Sequence, residues 1–270
     1  MNLLEETKLL LRRYRIFPKK RLGQHFTVDP SIFHRMVEYA ALSSDDVVLD
    51  VGAGFGFLTR YLAAKCQRVL AVELDSKVAA ILRLRLKDLP NVIVIEGDVF
   101  KVPLPPFNKV VAIPPYSISS QLIRWLFNKS FHCAILVLQK EFARRLVAPM
   151  GTEDYGWLTI LTYYYLDVEL LDEVPRYAFY PPPEVDSTIL LLKPKHPRPF
   201  SLKNEEWFER FVRVMFTQRN RKVKNAIRAF AEKELAKGSS PISSSIPFKE
   251  KRVRELAPED FGVLANVLAG

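Results

Sequence analysis

Short apolar runs alternate with amphipathic stretches through the first half of the chain. The runs have the length of β-strands and predict strands at residues 47–51, 68–73, 92–96, 109–113 and 133–138. Between them, apolar side chains recur at helical spacing and predict helices at 57–66, 77–86 and 119–127. Strands that alternate with helices of this length are typical of a mostly parallel sheet wound on both faces, so the pattern predicts an α/β fold.

The pattern changes after residue 150. A helix is predicted at 155–164, and two extended segments follow at 166–174 and 187–192. No helical pattern separates these two segments, so they are expected to form an antiparallel pair at the edge of the sheet. A charged, proline-rich linker then occupies residues 193–199.

The chain is expected to divide into three parts. Amphipathic helices are predicted beyond the linker, at 204–216, 222–236 and 258–268. We therefore expect a basic N-terminal arm at 1–25, an α/β domain at 26–194 and a small all-helical domain at 195–270.

The composition is that of a globular chain. Hydrophobic residues make up 49% of the 270 positions, and the mean hydropathy is zero. No apolar run approaches the roughly 18 residues that a membrane helix needs, and the first 20 residues lack the apolar centre of a signal peptide. Two cysteines and four scattered histidines have no metal-ligand spacing. We expect a cytoplasmic protein that binds neither membrane nor metal.

The positive charge indicates a polyanionic partner. The net charge is +10, and much of it lies in clusters within the N-terminal arm and between residues 219 and 228. Clustered Lys and Arg side chains are typical of surfaces that contact nucleic acid phosphates. The candidate RNA-binding residues are Arg12, Arg13, Lys19, Lys20, Arg21, Arg219, Arg221, Lys222, Lys224 and Arg228.

A glycine-rich turn follows the first predicted strand. The strand contains the acid Asp50, and Gly52, Gly54 and Gly56 follow at alternate positions. Glycines at such a strand end let the backbone approach an adenosine-containing ligand, and an acid about 20 residues later takes the ribose hydroxyls. Glu73, at the end of the second predicted strand, stands at that distance.

A further acid favours S-adenosylmethionine (SAM) over a dinucleotide. Asp98 stands at the end of the third predicted strand, where a carboxylate would face the amino group of adenine. A dinucleotide site must also cradle a pyrophosphate, which SAM lacks. The sequence therefore predicts a SAM site. An NAD-dependent oxidoreductase is a distant alternative, because neither a pyrophosphate-binding pattern nor a hydride-transfer acid is evident.

The candidate catalytic loop is Ile113-Pro114-Pro115-Tyr116, which ends the fourth predicted strand. Open α/β sheets bind ligands outside the carboxyl ends of their strands. The two prolines fix the direction of the backbone carbonyls, and Tyr116 offers a flat face for a nucleobase. Phe179 is a second candidate for stacking.

These motifs together resemble the ribosomal RNA adenine N6-dimethyltransferase family of SAM-dependent enzymes, over nearly the whole length. The resemblance implies a Rossmann-like class I methyltransferase fold with a helical C-terminal domain. Besides the loops above, it is carried by Lys20-Arg21-Leu22-Gly23-Gln24-His25-Phe26, Glu73-Leu74-Asp75, Gly97-Asp98-Val99 and Phe179-Tyr180-Pro181-Pro182-Pro183-Glu184-Val185-Asp186-Ser187.

The family resemblance also implies roles for individual residues. Gln24 and His25 would touch the methionine part of SAM, Glu73 would hold the ribose, and Asp98 with Val99 would contact the adenine. The full set of cofactor candidates is Gln24, His25, Thr27, Gly52, Gly54, Glu73, Leu74, Asp98, Val99 and Ile113. The implied substrate is a pair of adjacent adenosines in a hairpin loop near the 3′ end of small-subunit rRNA, on an immature subunit. We expect a monomer.

One position departs from the family's pattern. The family's loop usually begins Asn-Leu-Pro-Tyr, and the asparagine oxygen is thought to accept a hydrogen from the adenine amine. Ile113 has no such acceptor. The enzyme could be slow, could use main-chain acceptors alone, or could have lost activity and serve as a small-subunit assembly factor. Relatives that methylate large-subunit rRNA and DNA adenine methyltransferases are further alternatives.

Overall fold

The computed structural model describes residues 2–18, 23–235 and 246–269, which form helices and strands in alternation. The helices are α1 (Leu3–Arg13), α2 (Pro30–Ala40), α3 (Phe57–Ala63), α4 (Ser76–Arg85), α5 (Ser119–Phe127), α6 (Lys140–Leu146), α7 (Trp157–Tyr165), α8 (Glu205–Phe216), α9 (Val223–Leu235) and α10 (Pro258–Leu268). The strands are β1 (Phe26–Thr27), β2 (Val47–Val51), β3 (Arg68–Glu73), β4 (Val92–Glu96), β5 (Lys109–Ala112), β6 (Cys133–Gln139), β7 (Leu166–Val174), β8 (Phe179–Tyr180) and β9 (Ser187–Pro194).

The central sheet has seven strands in the order β4-β3-β2-β5-β6-β9-β7. Strands β2 to β6 pair in parallel with one another, and β9 pairs antiparallel with β6. The predicted α/β class, the mostly parallel sheet and its antiparallel edge are confirmed. β5 stops at Ala112, one residue short of the predicted end, because Pro114 has no N–H with which to extend the ladder.

The strand order reverses between β2 and β5. From β2 the chain proceeds outward through β3 and β4, whereas β5 and β6 lie on the other side of β2. A crevice opens at the carboxyl ends of the strands where the direction of winding changes. The glycine-rich turn after β2 and the loop after β5 therefore meet at this crevice.

Two helices near the N-terminus were not predicted from the sequence. The segment assigned to a basic arm contains α1, which Asn2 and Glu5 cap reciprocally and which buries Leu10 and Leu11 in the core. α2 begins with Asp29 as its cap and Pro30 in its first turn. Both helices contribute apolar side chains to the main core, so local capping signals in the sequence identify them in retrospect.

The chain divides into two compact units. The first comprises residues 1–143 and 168–194, and the second comprises 144–167 and 195–270. The chain passes from the first unit to the second between residues 194 and 195, where a domain boundary is expected. The segment 144–167 belongs to the same unit as the C-terminal helices. In the described ranges no helix is both long enough and apolar enough to cross a membrane.

Candidate functional site

The glycine-rich turn after β2 passes very close to the loop after β5. Gly52 has a φ of 76°, and a Cβ atom built on it would lie 2.8 Å from Cδ of Pro115. Its N–H donates to the carbonyl of Val72 at 2.9 Å, which ties the turn to β3. Both the left-handed backbone and the close approach require glycine at this position.

Glu73 is held rigidly beneath the turn. Its carboxylate accepts hydrogen bonds from the N–H groups of Gly54 and Asp75, both at 2.9 Å. The residue is 7% exposed, and burial raises the pKa of its carboxyl, an effect that the main-chain hydrogen bonds partly offset. A carboxylate has about four acceptor sites, so Glu73 can hold the turn and also accept from ligand hydroxyls.

Replacing Glu73 with glutamine is expected to weaken SAM binding by about 10- to 100-fold, because hydrogen bonds to a charged acceptor contribute about 1.5–3 kcal/mol. The amide would also direct a donor at the N–H of Gly54 or Asp75. Isothermal titration with SAM measures the effect. The matched control is Glu96→Gln, since Glu96 is the cross-strand partner of Glu73 but is exposed and paired with Arg83. Equal losses in both variants would exclude the assigned role.

The end of β4 places a second carboxylate at the crevice. Asp98 accepts from the N–H of Phe100 at 3.1 Å, and its side chain is 31% exposed. Val99 beside it is buried. A fixed carboxylate next to an apolar wall is the arrangement that an adenine ring with an amino group requires.

The loop after β5 turns back into a short helical segment. The carbonyl of Pro115 accepts from the N–H of Ile118 at 3.1 Å, and the hydroxyl of Ser119 donates to the carbonyl of Tyr116. Ile113 is partly buried and packs against the main core. The loop is therefore fixed by its own hydrogen bonds and by packing before any ligand arrives.

Tyr116 lies between two other rings. Its ring stacks on His25 with centroids 5.7 Å apart, and Phe179 meets it edge-on at 6.4 Å. Its hydroxyl forms a 2.6 Å hydrogen bond with Oγ of Ser187. Burial raises the pKa of Tyr116 to about 12, so the ring stays neutral at physiological pH and offers a flat, uncharged surface.

A small two-stranded sheet holds residues 23–27, the described part of the N-terminal signature and the residue after it, at the pocket. β1 pairs antiparallel with β8, which places Thr27 opposite Phe179. Nδ1 of His25 lies 2.7 Å from the carbonyl of Pro181, and Phe26 stacks on Phe55 with ring centroids 4.5 Å apart. The two signatures that are farthest apart in the sequence thus form one wall of the site.

The structure gathers nearly all of the predicted cofactor-binding and catalytic residues around one pocket. The pocket measures about 910 Å³ when counted with its open mouth. The predicted residues that line it are Gln24, His25, Gly52, Gly54, Glu73, Leu74, Asp98, Val99, Ile113, Pro114, Pro115, Tyr116 and Phe179. Thr27 instead lines a smaller neighbouring cavity, together with Asp50. That these residues bind a cofactor or a base stays a prediction.

Several residues that line the pocket were not among the candidates from the sequence. Gly97 has a φ of 142°, and a Cβ on it would lie 2.5 Å from the Val102 side chain. Gly23 has a φ of 61°, with the N atom of Tyr116 only 3.3 Å from its ideal Cβ. Both glycines stood within recognised motifs, but only the folded backbone reveals why they are needed. The other lining residues that were missed are Phe26, Val51, Val72, Phe100, Ser117 and Ile118.

Asp50 is buried below the glycine-rich turn and does not line the main pocket. It is 1% exposed, and the hydroxyl of Thr59 donates to it at 2.7 Å. Burial raises the pKa of Asp50 to about 7, and the hydrogen bond from Thr59 opposes the shift. The pair joins β2 to α3 and thereby fixes both ends of the glycine-rich turn.

The predicted RNA-binding residues fall into three groups. Arg219 donates to the carbonyls of Thr152 and Glu153, so it braces the chain before α7. Lys222 and Lys224 both contact Glu250 at 2.8 Å, and these two lysines lower the pKa of that carboxyl to about 2. Arg12, Arg13, Arg221 and Arg228 form the third group and are exposed, as Lys222 and Lys224 also are. The remaining candidates lie outside the described residues: Lys19, Lys20 and Arg21.

The residues that the structure describes contain no metal-binding cluster. No group of three or more His, Cys, Asp or Glu side chains in these ranges is arranged to hold a metal ion. The two cysteines, Cys66 and Cys133, are free and buried. Burial raises the pKa of Cys66 to about 11, which disfavours its reactive thiolate form.

Comparison with known proteins agrees with this arrangement. The family described as ribosomal RNA adenine dimethylase matches residues 17–264. A protein of Methanosarcina acetivorans named "Probable ribosomal RNA small subunit methyltransferase A" is 41% identical over 247 residues, which cover 91% of each chain. A protein of the same name from Pyrococcus abyssi is 39% identical over 254 residues, covering 93% of this chain and 92% of the other.

Two solved structures share the fold. A dimethyladenosine transferase from Plasmodium falciparum superposes with a TM-score of 0.75 at 29% identity, covering 88% of this chain and 94% of that one. The 23S rRNA methyltransferase ErmE gives a TM-score of 0.65, also at 29% identity, over 91% of this chain and 100% of the other. Both similarities extend beyond the unit that contains most of the sheet, because that unit is a smaller part of the chain than the part that each comparison covers.

Proposed function

Because this chain belongs to the ribosomal RNA adenine dimethylase family, we propose that it dimethylates N6 of two adjacent adenosines in small-subunit rRNA. SAM is the methyl donor, and the target is a hairpin loop near the 3′ end of the RNA. The protein works as a cytoplasmic monomer on an immature small subunit. The observation that carries the proposal is one pocket that joins the acid pair Glu73 and Asp98 to the ring of Tyr116, which Phe179 supports edge-on.

The pocket's residues fit the methyl donor. Because Gly52 has no Cβ, the turn after β2 can approach Pro115 closely, and the pocket beside this contact is lined by Glu73 and Asp98, which would hold SAM. When bound, SAM supplies an electrophilic methyl group whose transfer leaves a neutral thioether and needs no acid. The residues of this chain contribute binding and orientation, which are sufficient to accelerate such a step greatly.

The protein's task at the base is to hold the amine in one orientation. The adenine amine is a weak nucleophile because its lone pair is delocalised into the ring. Since the Pro115 carbonyl is engaged by Ile118, we assign the acceptor role to the carbonyl of Pro114, which takes one hydrogen of the amine. The side chain of Ile113 has no acceptor for the other hydrogen. Tyr116 holds the base flat, while Phe179, which is buried and edge-on to Tyr116, keeps that ring in place. Unpaired loop bases cost the least to extrude from their stack.

Replacing Tyr116 with alanine is expected to lower kcat by about 5- to 150-fold, because one base–aromatic stack contributes about 1–3 kcal/mol. The SAM Kd should change by no more than about threefold. Single-turnover methyl transfer and SAM titration measure the two effects separately. Tyr116→Phe keeps the ring and removes only the Ser187 hydrogen bond, so it should stay close to the parent. Equal losses in kcat and SAM affinity for Tyr116→Ala would exclude the stacking role.

The position of methylation tests the proposed substrate. Unmethylated small- and large-subunit rRNAs are incubated with the protein and SAM, and reverse transcription then maps the modified bases, since dimethyladenosine blocks base pairing. We expect two adjacent stops in the 3′ hairpin of the small-subunit RNA. Stops confined to large-subunit RNA would instead support methylation of 23S-type rRNA, as the name of the 23S rRNA methyltransferase ErmE indicates for that structurally similar protein.

A further inference from the structure

A second pocket lies within the C-terminal compact unit, between α7 and α8. We call it the α7–α8 pocket, and it measures about 890 Å³ with its open mouth. Within the described part of the chain, its lining includes two arginines and no acid; the lining residues are Trp157, Arg210, Arg213, Val214, Phe216 and Thr217. None of them was among the candidates that the sequence suggested for RNA.

The floor of the pocket is rigid and apolar. Phe216 is buried, and its ring stacks on Phe261 at 5.5 Å and meets Tyr155 edge-on at 5.8 Å. The hydroxyl of Tyr155 donates to the carbonyl of Leu256 at 2.7 Å. A floor fixed by packing against two rings presents the side chains above it in defined positions.

The rim of the pocket carries a layered cationic surface. The guanidinium of Arg213 lies over the ring of Trp157, 5.5 Å from its centroid. Arg210 is one turn earlier on the same face of α8, and both arginines are exposed. A guanidinium is planar, so its outer face remains a surface for stacking while its N–H groups point sideways to acceptors.

From this arrangement we infer that the α7–α8 pocket binds one unpaired nucleotide of the RNA substrate. The base stacks on the Arg213–Trp157 layer, as unpaired RNA bases do on aromatic and guanidinium planes. Arg210 binds the adjoining phosphate, as arginines commonly do. An acidic peptide would use the two charges but not the flat layer, so the chemistry favours a nucleotide. The inference rests on the proposed function, because it takes its RNA from there.

The test compares two double variants that lose the same charge. Arg210→Gln/Arg213→Gln alters the pocket, whereas Lys65→Gln/Arg68→Gln removes two exposed positive charges near the amino end of β3. The full-length proteins are titrated with unmethylated small-subunit rRNA at several salt concentrations. We expect the pocket variant to bind about tenfold more weakly and its salt slope to fall by about one, because only Arg210 is assigned a phosphate contact. The control should change affinity by less than about twofold.

A single conservative change separates stacking from charge. Arg213→Lys keeps the positive charge but loses the planar group, so it should weaken RNA binding about fivefold with an unchanged salt slope. In all pocket variants, kcat for methyl transfer at saturating RNA should remain that of the parent. Thermal unfolding within a few degrees of the parent shows that each variant is folded.

Losses in the pocket variant no greater than in the control would overturn the inference and point to a protein partner for this surface. A different result would separate the two proposals. If the pocket substitutions weaken RNA binding as expected but the parent protein transfers no methyl group, the proposed activity is refuted and the inference still stands. The two proposals therefore fail on different measurements.

Discussion

Replacing Ile113 with asparagine is expected to raise kcat for methyl transfer by about 10²- to 10³-fold, the change that one well-placed hydrogen-bond partner contributes at a reacting centre. Ile113 lines the pocket directly before Pro114 and packs against the core. An amide oxygen there would accept one hydrogen of the adenine amine, while a main-chain carbonyl accepts the other. With both hydrogens held, the lone pair of the amine points to the methyl group. Single-turnover methyl transfer to unmethylated small subunits measures this gain.

The matched control for this prediction is Ile113→Leu, which keeps an apolar side chain of the same size without an acceptor. It should stay within about threefold of the parent, since volume-conserving apolar changes cost little. The SAM Kd should change little in either variant, because Glu73 and Asp98, the acids proposed to hold SAM, are untouched. If the asparagine variant is no faster than the leucine variant, main-chain carbonyls alone orient the amine. The claim that Ile113 slows methyl transfer because it has no acceptor would then be wrong.

Replacing Gly52 with alanine is expected to weaken SAM binding by at least about 100-fold and to lower kcat similarly, because displacement of about 1 Å at a reacting centre has this effect. The new Cβ would lie 2.8 Å from Cδ of Pro115, and that ring is part of a loop fixed by its own hydrogen bonds. Either the turn or the catalytic loop must move. The left-handed φ of 76° adds strain of about 1–3 kcal/mol. SAM titration measures the loss of affinity, and thermal unfolding measures the loss of stability from strain.

Gly151 supplies an unusually close control. It has a φ of 83°, and no atom lies within 4 Å of its ideal Cβ. Gly151→Ala therefore introduces the same backbone strain without the collision. It should lower stability by the backbone strain alone and leave SAM affinity unchanged. Loss of SAM binding in both variants would mean that the effect comes from destabilisation and not from the contact between the two loops.

The strands and loops that depend on a local sequence pattern could be predicted from the sequence. β2, β3 and β4 have the predicted bounds, since each is a short apolar run closed by Gly, Asp or Glu. The turn after β2 and the loop after β5 were recognised as parts of one site, because parallel strands bring their carboxyl ends together. Family resemblance then supplied roles that spacing alone does not reveal.

What the sequence did not reveal depends on contacts between distant residues. Ser187 stood within a recognised signature, but its hydrogen bond to Tyr116 joins residues 71 positions apart. Arg219 was predicted from its charge to be a phosphate ligand, whereas the structure shows it bracing the chain at Thr152 and Glu153. The α7–α8 pocket exists only because Trp157 and Arg213 meet across two helices. Charge and spacing do not encode such pairings.

The most direct test of the central claim is methyl transfer from radiolabelled SAM to unmethylated small ribosomal subunits, followed by digestion and identification of the labelled nucleosides. We predict label in N6,N6-dimethyladenosine, which requires an enzyme that reorients the amine twice despite Ile113. Label in N6-methyladenosine alone would show that the second reorientation fails. No label, with RNA and SAM both still bound, would contradict the account and identify the chain as an assembly factor that has lost its chemistry.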